Sequence, residues 1–160
     1  MARILIIDYS KTGTGEAVAK QLASEIHADY YQIKPKRNYA ASMWAAWDQA
    51  QAEMAAHQMP ALVTDFPDFT NYDQFILGGP VWGKAIANPL RAFLEQVDFQ
   101  GKPVAAFWTY YDHDEHYTES LKSALQNGNY QFGLPLTMTT LNQPAKLTVV
   151  LNNWLDKFEH

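Results

Sequence analysis

No cysteine occurs in the 160 residues, so the chain forms no disulfide, offers no thiolate to a metal and carries no thiol nucleophile. Long apolar runs are missing too. No stretch approaches the about 20 residues a membrane-spanning helix needs. Nor does the N-terminus show a charged region followed by a signal-like apolar segment and a small-residue cleavage site. The expectation is a cytoplasmic protein without membrane association. Cations are outnumbered, with Lys and Arg 12 against Asp and Glu 17 and a formal net charge of -5. The longest basic stripe is Lys34, Lys36, Arg37, so the electrostatic footprint of a nucleic-acid binder is absent. A mildly acidic surface suits basic partners instead. Low-complexity segments and fixed-period repeats are also lacking, and the length suits a single domain over 1–160.

Aromatic residues are plentiful: Trp 5, Tyr 9 and Phe 8. Most must fill the core, but several fall near loops, where a flat ligand can stack on them. Along the chain, Ala2 to Asp8 is apolar apart from Arg3, which suits a strand buried on both faces of a parallel sheet. After a glycine-containing turn, Val18, Leu22 and Ile26 recur every fourth residue with Ala19 and Ala23 beside them, one face of a helix. "ADYYQI" (Ala28 to Ile33) reads as a second strand, stopped by "KPKRN". The segment from Tyr39 to Gln58 reads as a second helix, with Ser42 as a cap and Trp44, Trp47 and Met54 on one core-facing stripe.

"YDQFILGGP" (Tyr72 to Pro80) is a third strand stopped by its glycines and proline. A helix follows, with Asn88 as N-cap, Pro89 at the first helical position and Leu90, Phe93, Leu94 and Val97 as its buried stripe. Lys102 to Thr109 is a fourth strand, Tyr117 to Gln126 a helix, Gly133 to Thr139 a weak fifth strand broken by Pro135, and Ala145 to Phe158 a closing helix. Strands alternating with helices imply an α/β fold. Its form is a doubly wound three-layer sandwich around a five-stranded parallel sheet with right-handed crossovers. In such sheets ligands bind beyond the carboxyl ends of the strands, where the strand order reverses. The loops after the first, third and fourth strands therefore carry the chemical interest.

The turn "YSKTGTGEAVAK" opens a helix, whose unpaired N–H groups and dipole attract an anion. Ser10, Thr12 and Thr14 add hydroxyl donors, while Gly13 and Gly15 let the backbone come close. A mononucleotide P-loop needs Lys and then Ser or Thr after its last glycine, but Gly15 precedes Glu16 and Ala17. The dinucleotide fingerprint needs a third glycine where Val18 stands, and an acid near Ile33 and Lys34 that is missing. What remains is a hydroxyl-rich S-x-T-G-x-x turn.

Here the sequence resembles the flavodoxin family, through "YSKTGTGEAVAKQLA", "YDQFILGGPVWGKAIANPLRAFLE" and "GKPVAAFWT" in that order. The resemblance implies the strand order 2-1-3-4-5 and FMN as cofactor. Its phosphate would rest on Ser10, Lys11, Thr12, Gly13, Thr14 and Gly15. Its ring would lie between Pro80, Val81, Trp82 and Gly83, which match the family's first flavin loop, and Thr109, Tyr110, Tyr111 and Asp112, which begin the second. Trp82 and Tyr110 are the expected stacking residues. The chain departs from the pattern at Gly15, where the family usually has a phosphate-binding threonine, and at Gly83, where many relatives carry a tryptophan. It departs again in "TYYDHDEHY", which replaces a glycine pair.

Other constellations are weaker. Asp112, His113, Asp114, Glu115 and His116 lack metal-ligand spacing, and a solvated loop is the simpler reading. Asp8 resembles the acidic pocket of phospho-receiver domains, but Gly78 and Gly79 stand where their phosphoacceptor would be, so a structural role is expected. His27 and His57 sit near helix ends, where the dipole favours them. No Ser, His, Asp triad can be assembled at the strand ends. The long segment from Asn38 to Pro67 either packs its tryptophans inward or covers the flavin or a partner site. Three functions follow. The first is an electron-transfer flavoprotein serving a redox partner protein; the second is an NAD(P)H-dependent FMN or quinone oxidoreductase acting on a small quinone or flavin substrate. The third is a flavin-free interaction or sensing module. A monomer or a homodimer suits any of them.

Overall fold

In the computed structural model, which describes residues 2–158, β1 (Ile4–Asp8) is buried along its whole length. Its alternate side chains feed two cores. Leu5 and Ile7 join one, Ile4 and Ile6 the other, as a strand covered on both faces requires. α1 (Thr14–Ile26) follows, then β2 (Asp29–Gln32), α2 (Met43–Ala55), β3 (Gln74–Trp82), β4 (Ala85–Ile86) and α3 (Asn88–Leu94). β5 (Pro103–Tyr110), α4 (Tyr117–Ala124), β6 (Asn129–Thr137), α5 (Met138–Leu141) and α6 (Pro144–Leu155) complete the chain.

The sheet has the order β2-β1-β3-β5-β6 with every neighbouring pair parallel, and β4 folds back antiparallel on the end of β3. Apart from that hairpin, this is the expected 2-1-3-4-5 arrangement. α1 and α6 pack on one face through Val18, Leu22, Leu147, Leu151 and Trp154. α3 and α4 cover the other through Leu90, Phe93, Tyr117 and Leu121.

Several boundaries differ from the sequence reading, each for a physical reason. β3 does not stop at its glycines and proline but runs on to Trp82. β1 ends where Asp8 faces Gly78, so Pro80 lies where β3 has lost that neighbour, and a missing N–H is tolerated there. β6 starts four residues earlier than expected and carries Pro135 inside it. As an edge strand next to a register shift between Val104 and Ala106, it accommodates proline.

Asn88 is not an N-cap. It lies inside α3, and its amide donates instead to the Ala50 carbonyl and the Glu53 carboxylate, at 3.0 and 2.9 Å. Ser42 does cap α2, accepting from the Ala45 N–H at 3.4 Å. The tryptophan stripe of α2, however, does not face a core: Trp44 is 81% exposed, and Ala46 and Ala50 are the buried side chains. Periodicity identified the stripes of this helix but not which one turns inward. Its small alanine stripe does so, which brings the backbone close to the body of the protein.

Candidate functional site

The first half of the site is built by the β1–α1 turn. The Tyr9 N–H still bonds to the Gly78 carbonyl (3.1 Å), and then the chain turns. Ser10 Oγ accepts from the Gly13 N–H at 2.9 Å, and Gly13 sits at φ 89, a left-handed conformation that glycine adopts freely. α1 starts at once, with no side-chain cap among the described residues. The N–H groups of Thr14, Gly15 and Glu16 therefore lack intrahelical acceptors and project with the positive end of the dipole. Thr12 and Thr14 bring their hydroxyls to 3.3 Å of each other, and Lys11 Nζ donates to the Ala41 carbonyl at 3.3 Å. This end is made to receive an anion.

Directly behind the turn lies Asp8, fully buried. Tyr30 donates to its Oδ2 at 3.2 Å, while Oδ1 has no partner among the described residues. Burial pushes this carboxyl up to about 7; the Tyr30 bond pulls the other way and the nearby Glu16 adds to the rise.

The second half is aromatic. β3 turns into β4 through Gly83 and Lys84, at φ 59 and 68, the two positive dihedrals of a type I′ hairpin. Trp82 meets Tyr9 and Tyr39 edge-on, with centroids 5.7 and 5.0 Å away. Gly83 is required twice. Beyond its φ, a Cβ there would lie 2.4 Å from Cη2 of Trp47, whose ring reaches over from α2. α2 is itself anchored by a polar knot, in which Glu53 Oε1 accepts from the Tyr39 hydroxyl (2.6 Å) and from Asn88. Burial, and then that carboxylate, push the Tyr39 hydroxyl up.

Beyond Tyr111, which lines the cavity, the loop after β5 folds back on the protein rather than into the site. Trp108 stacks on Tyr117 at 4.4 Å and donates from Nε1 to Asp114 (2.9 Å), and the His116 N–H reaches the Lys84 carbonyl. His113 lies 2.7 Å from Glu115 and 3.7 Å from Asp112. Their carboxylates raise its affinity for a proton, Glu115 most. This cluster thus pairs within itself, and among the described residues no group has the arrangement of a metal centre.

Between the two halves lies one cavity of about 390 Å³. It brings together Ser10, Lys11, Thr12, Thr14, Gly15, Pro80, Val81, Trp82, Gly83, Thr109, Tyr110 and Tyr111 from three separate strand ends. Two residues singled out from the sequence do not line it. Gly13 shapes the turn from behind, and Asp112 points its carboxylate to the exposed His113. The sequence reading missed Ala41, Met43 and Ala46 at the α2 end and Met138 at the start of α5. Trp44 and Trp47, expected to favour the core, also line the cavity. The one available signal was the length of the crossover from Asn38 to Pro67; nothing in the sequence marked Met138.

An uncapped helix start facing an aromatic slot lies at the switch point of the doubly wound sheet, where folds of this class take their ligands. The family model described as Flavodoxin matches residues 3–157, and the chain belongs to that family. Among solved structures, a candidate flavoprotein from Bacteroides uniformis ATCC 8492 is 25% identical, with a TM-score of 0.82 over 98% of this chain and 99% of that one. A flavoprotein from Lactobacillus acidophilus NCFM, solved in complex with FMN, is 24% identical, with a TM-score of 0.78 over 84% and 93%. An NADPH-quinone reductase from P. pentosaceus shares the fold at 10% identity, with a TM-score of 0.61 over 99% of each chain. No curated protein matches the sequence. Among the described residues, no helix is long and apolar enough to cross a membrane.

Proposed function

We propose that the cavity binds FMN and that the protein carries electrons to or from a redox partner protein. One observation carries the reading: a single cavity joins an uncapped helix start, rich in hydroxyls, to a slot walled by Trp47, Trp82 and Tyr110. The donor set fits a phosphate. Free amides of Thr14 and Gly15, the hydroxyls of Ser10, Thr12 and Thr14, and the Lys11 ammonium supply hydrogen bonds and positive field without a metal. The walls fit a flat ring, because aromatic faces and edges receive it and the type I′ turn at Gly83 offers backbone groups to its polar edge. The role of Gly13 is to hold the turn open. The Flavodoxin family match and the FMN complex of the Lactobacillus acidophilus flavoprotein support the same cofactor.

Bound FMN would supply the one- and two-electron chemistry, and the chain would bind it, orient it and limit water at its faces. The exposed apolar side chains at the mouth, Met43, Trp44 and Tyr111, also favour a second reading, an NAD(P)H-dependent oxidoreductase in which a flat quinone or flavin rests against them. Purified protein that is yellow, or that quenches FMN fluorescence saturably at micromolar concentration, supports the cofactor. NADPH consumption with a quinone then selects the oxidoreductase, and slow background oxidation alone selects the carrier. Protein that neither carries nor binds flavin overturns both readings and favours the flavin-free module.

A further inference from the structure

A buried carboxyl beneath an anion site is the strangest feature of the molecule. Asp8 ends β1 on the face covered by α1, is fully buried, and has an oxygen, Oδ1, that meets no donor among the described residues. That oxygen points at the phosphate turn. A Cβ on Gly15 would stand only 3.2 Å from it and 3.8 Å from the Ser10 side chain. The absence of a side chain at residue 15, which removes a hydroxyl from the cradle, thereby makes room for Asp8. The two positions are a matched pair.

The groups facing Asp8 are few. From β2, Tyr30 donates to Oδ2. From α1, Glu16 adds a second negative charge, itself held by Lys20 at 3.2 Å and by Gln32. From α4, on the opposite side of the sheet, comes the hydroxyl of Tyr117, buried and without a partner among the described residues. No cation pairs with Asp8 among the described residues, and Lys11 turns away to Ala41. The one positive influence left is the start of α1, which is also what a phosphate would use.

We propose that Asp8 is a proton-linked positioning residue of the phosphate cradle, uncharged when a phosphate is bound, so that binding takes a proton from solvent onto Asp8. Ionised, Asp8 competes with the ligand for the field of the α1 amides and repels its charge through Gly15. Neutral, it leaves that field to the ligand. The carboxyl's raised affinity for protons places the exchange near neutral pH. Linkage then requires that phosphate affinity fall as pH rises through the range where Asp8 ionises, by at most tenfold per pH unit. This inference rests on the FMN reading of the cavity.

The test is the FMN dissociation constant, read by fluorescence quenching from about pH 7 to about pH 9, where the ligand phosphate with its second pKa of about 6 is already fully charged. Wild type is expected to weaken by about tenfold to fiftyfold across this window, while Asp8→Asn stays flat and binds more tightly than wild type at the upper end. Riboflavin, which has no phosphate, should show a flat profile with both. Tyr30→Phe removes the donor that favours the carboxylate, so its profile should move to higher pH. Equal pH slopes for wild type and Asp8→Asn, or a Tyr30→Phe profile that does not move, overturn the proposal. If no variant binds FMN, the FMN reading fails, and inorganic phosphate decides the matter through the amide NMR shifts of Thr14 and Gly15. Phosphate binding lost at high pH by wild type alone supports Asp8's role. Identical behaviour of the two proteins, or no phosphate binding at all, refutes it.

Discussion

The two ends of the cavity are built by opposite means. At the end proposed for the phosphate, five residues of one turn between a strand and a helix, Ser10, Lys11, Thr12, Thr14 and Gly15, supply the donors, and a buried carboxyl backs them. At the ring end, the walls come from four separate segments: α2, the β3–β4 turn, the end of β5 and the start of α5. Local geometry governs the first, tertiary packing the second. Changes at the phosphate end should therefore act selectively on ligands that carry a phosphate, and changes at the ring end on flavins of either kind.

The largest effect is expected at the carboxyl. Asp8 has its folded value raised from 3.8 to about 7, so in the ligand-free protein the unfolded chain gives up this proton first. Stability contributed by the neutral form is complete below about pH 4 and is lost as pH rises towards 7, after which the penalty is constant. Asp8→Asn should be more stable than wild type at pH 8, by up to about 4 kcal/mol, and no more stable at pH 4. Denaturant unfolding at the two pH values measures this.

Next comes Gly83→Ala at the ring end. A Cβ 2.4 Å from the Trp47 ring, on a residue at φ 59, must displace the tryptophan. The change should cost about 2 kcal/mol of stability and weaken FMN and riboflavin equally. Ser10→Ala probes the other end. It removes the acceptor for the Gly13 N–H as well as a phosphate donor, and should weaken FMN about tenfold while sparing riboflavin. The smallest effect is expected for Trp47→Ala, about threefold to tenfold on both flavins, because Trp82 and Tyr110 remain to hold the ring. Parallel titrations with the two flavins separate these outcomes, and a Ser10→Ala protein that loses both equally would erase the distinction between the ends.

The same contrast explains what the sequence made legible. The β1–α1 turn could be read because strand, glycine and helix signals adjoin within the chain, and the parallel order followed from the alternation of elements. Helix α2 could be recognised but not oriented. Trp44 and Ala46 lie on different stripes of one short helix, and which of them faces inward depends on the Tyr39, Glu53 and Asn88 knot, made by residues as many as 49 positions apart that no local pattern connects. Asn88 was misread for the same reason: its sequence context suits a cap, but its amide is used for that distant tie. β3 outran its glycines because Gly78 and Gly79 still pair with Phe107 and Trp108 on β5, a partner that short-range turn rules do not see. Likewise the part of the bulky loop after β5 that lies beyond Tyr111 is drawn away from the cavity by the Trp108 and Asp114 hydrogen bond.

The most direct experiment compares FMN with riboflavin on the wild-type protein near neutral pH. Saturable one-to-one binding of both is expected, with FMN tighter by at least about tenfold, because only FMN can use the free amides and hydroxyls at the start of α1. Equal affinities for the two flavins, or no binding of either, would contradict a phosphate cradle in this turn.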